Sequence, residues 1–366
     1  QLKKSASKIP SQKDLDIDIT GLDFAHLHVF SQFSVLQSTV HIKKLVDRVG
    51  KLKMSAVALT DLGNMMAAFR FERVVSNYNK EIRKNNELED TEKKQEILPI
   101  IGCTYNVCTD RLNKSVKDNG YEVVLLAKNK SGYQNLIKLA SIAYTEGFYY
   151  VPRIDKSAIE QYHEDIIVLS GNMNGEIPGL ILKVGETQAE ESLIWWKNLF
   201  GDDFYIEINR HQLEFEQRVN DSLISLARKH KVKLIGANSV YYLNQEDAES
   251  HDVLLCVKEN ELVSTPKGRG RGFRYGLEND SYYLKSKEEM QELFSDLPEA
   301  IANISEVIEK CEHYPLQRDV LLPEFSIPEQ FMDSKDEKDG GKRGENNYLK
   351  HLTYEGAKSR YKEITP

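Results

Sequence analysis

The chain has 366 residues, 40% of them hydrophobic and 29% charged, with a formal charge of −8. That length asks for one large α/β domain with an appended piece, and that composition can bury a large core. The acidic balance excludes a surface given over mainly to nucleic acid, because phosphates need clustered cations. No apolar run nears the roughly 20 residues of a membrane span. The start, Gln1-Leu-Lys-Lys-Ser-Ala-Ser-Lys, has neither a signal-peptide pattern nor an initiator Met, so a segment of something longer is expected. Cys103, Cys108, Cys256 and Cys311 form no CxxC, which removes zinc-ribbon and thioredoxin readings. Reduced, packed thiols in a cytoplasmic protein are the expectation.

Residues 1–21 read as a polar tether, Asp16-Ile-Asp18-Ile included. Apolar, β-rich segments then recur seven times, at 24–29, 56–60, 98–107, 121–127, 165–170, 204–209 and 234–242. Helical periodicity separates most of them. Val40, Ile42, Leu45, Val46 and Val49 share one face, Leu136, Ile137, Leu139, Ala140 and Ala143 another, and Val219, Leu223, Leu226 and Ala227 a third. Strands alternating with helices predict a mainly parallel sheet with right-handed crossovers, and seven units suggest a barrel. Residues 80–96 have almost no apolar face and read as an exposed helix end or insertion. Trp195 and Trp196 read as packing residues of a helix. Gly268-Arg-Gly-Arg-Gly272 lacks the ending of a phosphate loop and follows no buried strand, so it reads as a flexible basic loop. Residues 286–312 read as helix, break and helix, with Pro298 in a first turn and Asp296 as its cap. Residues 333–346 read as a mobile loop and 347–361 as a last helix.

The chemistry concentrates at strand ends. His26 and His28 flank Leu27 and, on a regular strand, would point the same way. Asp61 follows Ala56-Val-Ala-Leu-Thr60 at a matching strand end. Imidazoles and carboxylates converging there are the material of a hydrolytic metal site.

FAHLHVFSQFSVL, AVALTDLGNM, LPIIGCTYNV, VLLAKNKSGYQNLIKLASIAYTEGF, VPRID, VLSGNMNGEIP, HDVLL, LFSDLPEAIANISEVIEKC and LLPEFSIPE, in that order, resemble the amino-terminal part of bacterial DNA polymerase III alpha subunits. That part is a PHP (polymerase and histidinol phosphatase) domain leading into the polymerase palm. The resemblance implies a distorted seven-stranded β/α barrel over 22–285 and a mainly helical segment over 286–366 that enters the palm. It also implies DNA replication by a DNA-directed DNA polymerase using DNA, deoxynucleotides and Mg²⁺, with the palm and a proofreading exonuclease as partners. The family's metal site uses an HxH pair, a TDH triplet, further Glu and His residues and a late DxH. Here His26, His28, Asp61 and His211 fall on ligand positions. Gln37, Leu62, Arg70, Thr104, Glu122, Asn172, Ser239 and Tyr241 stand where other ligands would be. So many lost anions leave at most one residual zinc ion, held by His26, His28, Asp61 and His211. Arg70 is expected inside the mouth, paired with Asp61 or Glu122 in place of the metal charge. The segment is thus expected to be a scaffold and docking domain with no catalytic residue of its own. The alternative is an active metal-dependent phosphoesterase, either a 3′–5′ exonuclease or a pyrophosphatase.

Overall fold

The computed structural model describes residues 17–19, 21–88, 93–268, 270–318, 320 and 325–363. Its sheet holds strands β1 (Ala56–Leu59), β2 (Leu98–Cys108), β3 (Tyr121–Ala127), β4 (Arg153–Asp155), β5 (Ile166–Leu169), β6 (Phe204–Asn209) and β7 (Lys233–Ala237). The order is β1-β2-β3-β5-β6-β7, with β4 pairing β2 beyond the end of β1. This mixed sheet curls into a half-barrel surrounded by helices.

Three features of the sheet differ from the sequence expectation, the first being β4, a three-residue strand that lies in none of the seven expected segments. Strand β3 runs antiparallel to both β2 and β5. The stretch between β2 and β3, Thr109–Gly120, carries no helix, and a parallel crossover needs one or a comparably long path. The polar, turn-rich composition of TDRLNKSVKDNG was the available signal for a hairpin. Segment 24–29 is no regular strand, because the chain bends at Leu27. It still spans the open edges of the sheet. Ala58 and Thr60 donate backbone bonds to the carbonyls of His26 and Val29, while Val240 exchanges backbone bonds with His28 and Phe30.

The helices follow their apolar faces. Helix α1 (Ile42–Lys51) buries Ile42, Leu45, Val46 and Val49, and α2 (Ala68–Leu88) turns Phe71 and Val75 inward. Helix α3 (Lys130–Thr145) starts where the Asn129 side chain accepts from the amides of Ser131 and Gly132. Then come α4 (Lys156–Gln161), α5 (Glu176–Lys183), α6 (Glu186–Phe200), α7 (Glu214–His230) and α8 (Ala248–Glu259). Trp196 of α6 is buried in the core, as its packing role requires. All four cysteines are free and buried.

Helix α9 (Lys287–Leu293) begins on a capping box in which Ser286 and Glu289 exchange side-chain-to-amide bonds. Helix α10 (Pro298–Lys310) has Pro at its start, but its cap position is Leu297. Asp296 instead accepts from Arg210. Ile301, Ile304 and Val307 of α10 join the barrel core, so the compact unit runs on to Gln317. A second unit starts at Arg318. Within it, the stretch expected as a loop holds a helical turn, α11 (Asp336–Asp339), and the start of α12 (Arg343–Arg360). The Asp336 carboxylate accepts the amides of Arg343 and Gly344, which organises the turn that the glycines alone suggested.

Charge fastens α10 to the sheet. Glu306 accepts from Lys233 at 2.7 Å, from Tyr205 at 2.8 Å and from Lys310 at 2.8 Å. Burial alone would raise its carboxyl, yet these donors bring it from 4.5 to about 2. Its stabilisation is therefore complete above the ordinary carboxylate value and lost as pH falls through about 2. Glu306→Gln is expected to cost about 1–2 kcal/mol at neutral pH, the partial exposure of the site keeping the figure small. In denaturant melts the gap from wild type should close as pH drops from the carboxylate range toward 2.

Candidate functional site

The carboxyl ends of the parallel strands and the start of antiparallel β3 open on one mouth, and the side chains there are mostly polar and buried. His28 lies at its centre with no exposure, and its Nδ1 meets Glu207 Oε1 at 2.9 Å, also with no exposure. Asn209 Nδ2 donates to that same oxygen at 2.8 Å. On the other side of the ring, Thr104 Oγ1 lies 3.4 Å from His28 Nε2 and donates to the Thr60 carbonyl at 2.9 Å. Asn172 donates to Ser239, and Ser239 to Asn209, at 3.2 and 3.4 Å. Glu122, on β3, accepts from Asn174 at 3.5 Å, and burial raises its carboxyl, with nearby His28 opposing the rise. Glu207 Oε2 has no hydrogen-bond partner among the described residues.

The two histidines of the HxH pair part company. The bend at Leu27 breaks the alternation that would have aimed them together. His26 Nε2 donates to the Lys285 carbonyl at 2.8 Å, and burial lowers its imidazole to about 4. His211 is held by a different acid: its Nδ1 meets Glu216 Oε1 at 2.7 Å, and its ring stacks on Tyr282 at 4.0 Å. The four expected ligands thus answer to different partners, while His26 Nδ1 and His211 Nε2 have no hydrogen-bond partner among the described residues. Among the described residues no group of three or more His, Cys, Asp or Glu side chains is placed to hold a metal ion. These residues do not fit the metal centre that the HxH pair suggested.

Asp61 shows why. Its Oδ1 accepts from the Ser31 amide at 2.7 Å and from Ser34 Oγ at 2.6 Å, and its Oδ2 accepts from Ser31 Oγ at 2.8 Å. Burial raises this carboxyl, and the serine donors oppose the rise. Its lone pairs go to fastening the 31–38 loop. Leu62 also serves through its backbone, its amide donating to Ser34 Oγ. Gln37 lends its carbonyl to His251 Nε2 at 2.8 Å.

Arg70 corrects the charge-replacement expectation. It lies exposed on α2, with no hydrogen bond or ion pair to Asp61, Glu122 or any other described residue. Helical geometry explains this, since Phe71 takes the inward direction and leaves its neighbours Phe69 and Arg70 outward. Tyr241 fills its position with a ring stacked on Phe30 at 4.6 Å, and burial raises its phenol well above the usual value.

The residues that sequence reasoning missed are Glu207 and Asn209. A signal was present: FYIEIN carries one charge in a strand whose six positions are all buried. An acid in such a run needs a partner. Ser31 and Ser34 gave no comparable signal.

Two substitutions separate these roles. Arg70→Ala should leave thermal stability within about 0.5 kcal/mol of wild type, as exposed, unpaired sites do. Asp61→Ala should cost about 2–4 kcal/mol by leaving three buried donors unanswered. Equal losses in calorimetric melts would contradict the assignment.

The PHP domain family matches residues 26–211. The chain is 39% identical over 347 residues to the DNA polymerase III subunit alpha of Borreliella burgdorferi, covering 93% of this chain and 27% of that protein. It is 34% identical to the same subunit of Treponema pallidum over 94% of this chain and 27% of the relative, and 33% identical to that of Thermus aquaticus over 93% and 26%. The chain therefore spans about a quarter of the length of these relatives. The family match takes in just over half of the residues, and the chain belongs to the PHP domain family.

Proposed function

We propose that this chain is the PHP region of the replicative DNA polymerase III alpha subunit, a DNA-directed DNA polymerase of the cytoplasm. Within it, the barrel is a scaffold and docking domain for the polymerase palm and a proofreading exonuclease. The helical segment after 285 leads toward the palm. Support for the first half is the run of similarity along more than nine-tenths of the chain to alpha subunits from distant bacteria. Nucleotidyl transfer needs clustered carboxylates that hold Mg²⁺. Residues 286–366 carry no Asp-x-Asp pair, so nucleotidyl transfer, with its deoxynucleotides and Mg²⁺, belongs to other parts of such a polymerase.

The observation that carries the second half is the set of bonds around His28 and Asp61. Its Nδ1 is taken by Glu207 and its Nε2 faces Thr104, while Asp61 is spent on serines. A hydrolytic centre needs several anionic ligands converging on open metal positions. The mouth supplies instead a hydrogen-bonded interior that holds the strand ends in register, the rigid base that a docking domain requires.

The purified chain is expected to carry substoichiometric zinc and manganese by elemental analysis. It should release neither nucleotide from 3′-ended DNA nor phosphate from pyrophosphate when either metal is added. Metal-stimulated hydrolysis that disappears in His28→Ala would restore the phosphoesterase reading.

A further inference from the structure

The basic loop after α8 has no part in the barrel mouth, and its chemistry is left over. Residues 258–274 hold five Lys or Arg against two Glu in a chain whose formal charge is −8. The loop is closed on itself by a parallel bridge. Lys267 pairs with Arg274, the Gly268 amide donates to the Arg274 carbonyl, and the Arg274 amide donates to Pro266. At the tip, Gly270 and Gly272 have φ of +96° and +87°, which accounts for the glycines by turn geometry.

Arg274 is the root of this loop. It is 4% exposed and pairs with both carboxylate oxygens of Asp252, at 2.9 and 2.7 Å. Neighbours in an extended segment point opposite ways, so an inward Arg274 turns Phe273 and Tyr275 outward together. They are 50% and 51% exposed. Lys258 lies 5.8 Å from the Tyr275 ring centre, and also 3.6 Å from Glu259. Lys267 is held by Asp252 and the Leu277 carbonyl. Arg271 is exposed, with no hydrogen bond or ion pair among the described residues. The fold thus explains the glycines, Arg274 and Lys267. It does not explain two outward rings near Arg271, which makes no bond among the described residues, and Lys258, whose ion pair with Glu259 is long at 3.6 Å.

We propose that the end of α8 and the loop after it, through Tyr275, form a contact site for single-stranded DNA, with Phe273 and Tyr275 stacking on unpaired bases and Arg271 and Lys258 meeting phosphates. Aromatic rings interleaved with cations are the combination that binds single strands without sequence preference, since every base offers a face and every nucleotide a charge. A duplex hides its bases and would use the cations alone. An acidic protein segment would likewise need only the charges. The choice of DNA over RNA rests on the replicative reading above.

The test uses the 366-residue chain and a fluorescein-labelled 20-nucleotide oligo(dT), followed by anisotropy. Binding is expected to weaken about sevenfold between 50 and 200 mM salt, as a contact with roughly two phosphates requires. Phe273→Ala with Tyr275→Ala should weaken it about tenfold or more at constant salt. Arg271→Glu with Lys258→Glu should do the same and flatten the salt dependence. Because all four side chains are exposed, melting temperatures should not move. Lys114→Glu with Lys117→Glu, on another loop, should bind as wild type does. No detectable binding at low salt, or loop variants that bind as wild type, would overturn the proposal. So would tighter binding to oligo(rU), or binding lost with the charges but indifferent to the rings. None of those results would touch the polymerase assignment, which fails separately if the full-length polymerase lacks primer extension.

Discussion

The bond between the His28 imidazole and the Glu207 carboxylate is the constraint around which the mouth is arranged. It joins the irregular first segment to β6 across the barrel interior, and neither partner reaches solvent. A buried carboxylate or imidazole without a partner costs several kcal/mol, so the pair stands or falls together. Its neighbours follow from it. Asn209 supports the engaged carboxylate oxygen, and Thr104 occupies the far side of the ring. A metal approaching His28 Nε2 would have to displace Thr104, whose hydroxyl is committed to the Thr60 carbonyl.

Above this pair the mouth is covered by rings. Phe30 lies 4.9 Å from His28 and stacks on Tyr241, Tyr241 leans on Tyr282, and Tyr282 stacks on His211. His28 and His211 therefore belong to one aromatic train without sharing a ligand. Tyr241 stands at a position that the family resemblance assigns to a metal ligand, and its ring contributes to closing the opening. The backbone bonds of Val240 with His28 and Phe30 bring the train together, since they draw the end of β7 against the first segment.

How much of this was legible in the sequence depended on range. Periodicity located six of the seven strands and the inward faces of α1, α3 and α7, because those patterns are local and repeat, whereas three-residue β4 is too short to show one. The direction of β3 was not read, because it depends on what the intervening loop lacks. The bend at Leu27 left no composition signal, and with it went the shared aim of His26 and His28. Glu207 was readable in principle as a lone acid in a buried strand. Its partner, 179 residues away in sequence, was not. Asp296 looked like a helix cap by spacing, but the Arg210 guanidinium competed for it and won.

Asp61 and Arg70 show how a buried carboxylate is balanced here without a cation. Such a group needs either a cation or enough hydrogen-bond donors, and the first alternative requires a guanidinium that can reach inside. Arg70 sits where α2 faces solvent, so bringing it in would mean turning Phe71 out of the core, a loss of about 2–3 kcal/mol in burial alone. Two serine hydroxyls and one amide do the same work from a loop already at the mouth. They add no charge, so the burial that raises the Asp61 carboxyl is only partly opposed. A hydroxyl-lined acid of this kind fixes the 31–38 loop and has three of its roughly four acceptor positions already filled.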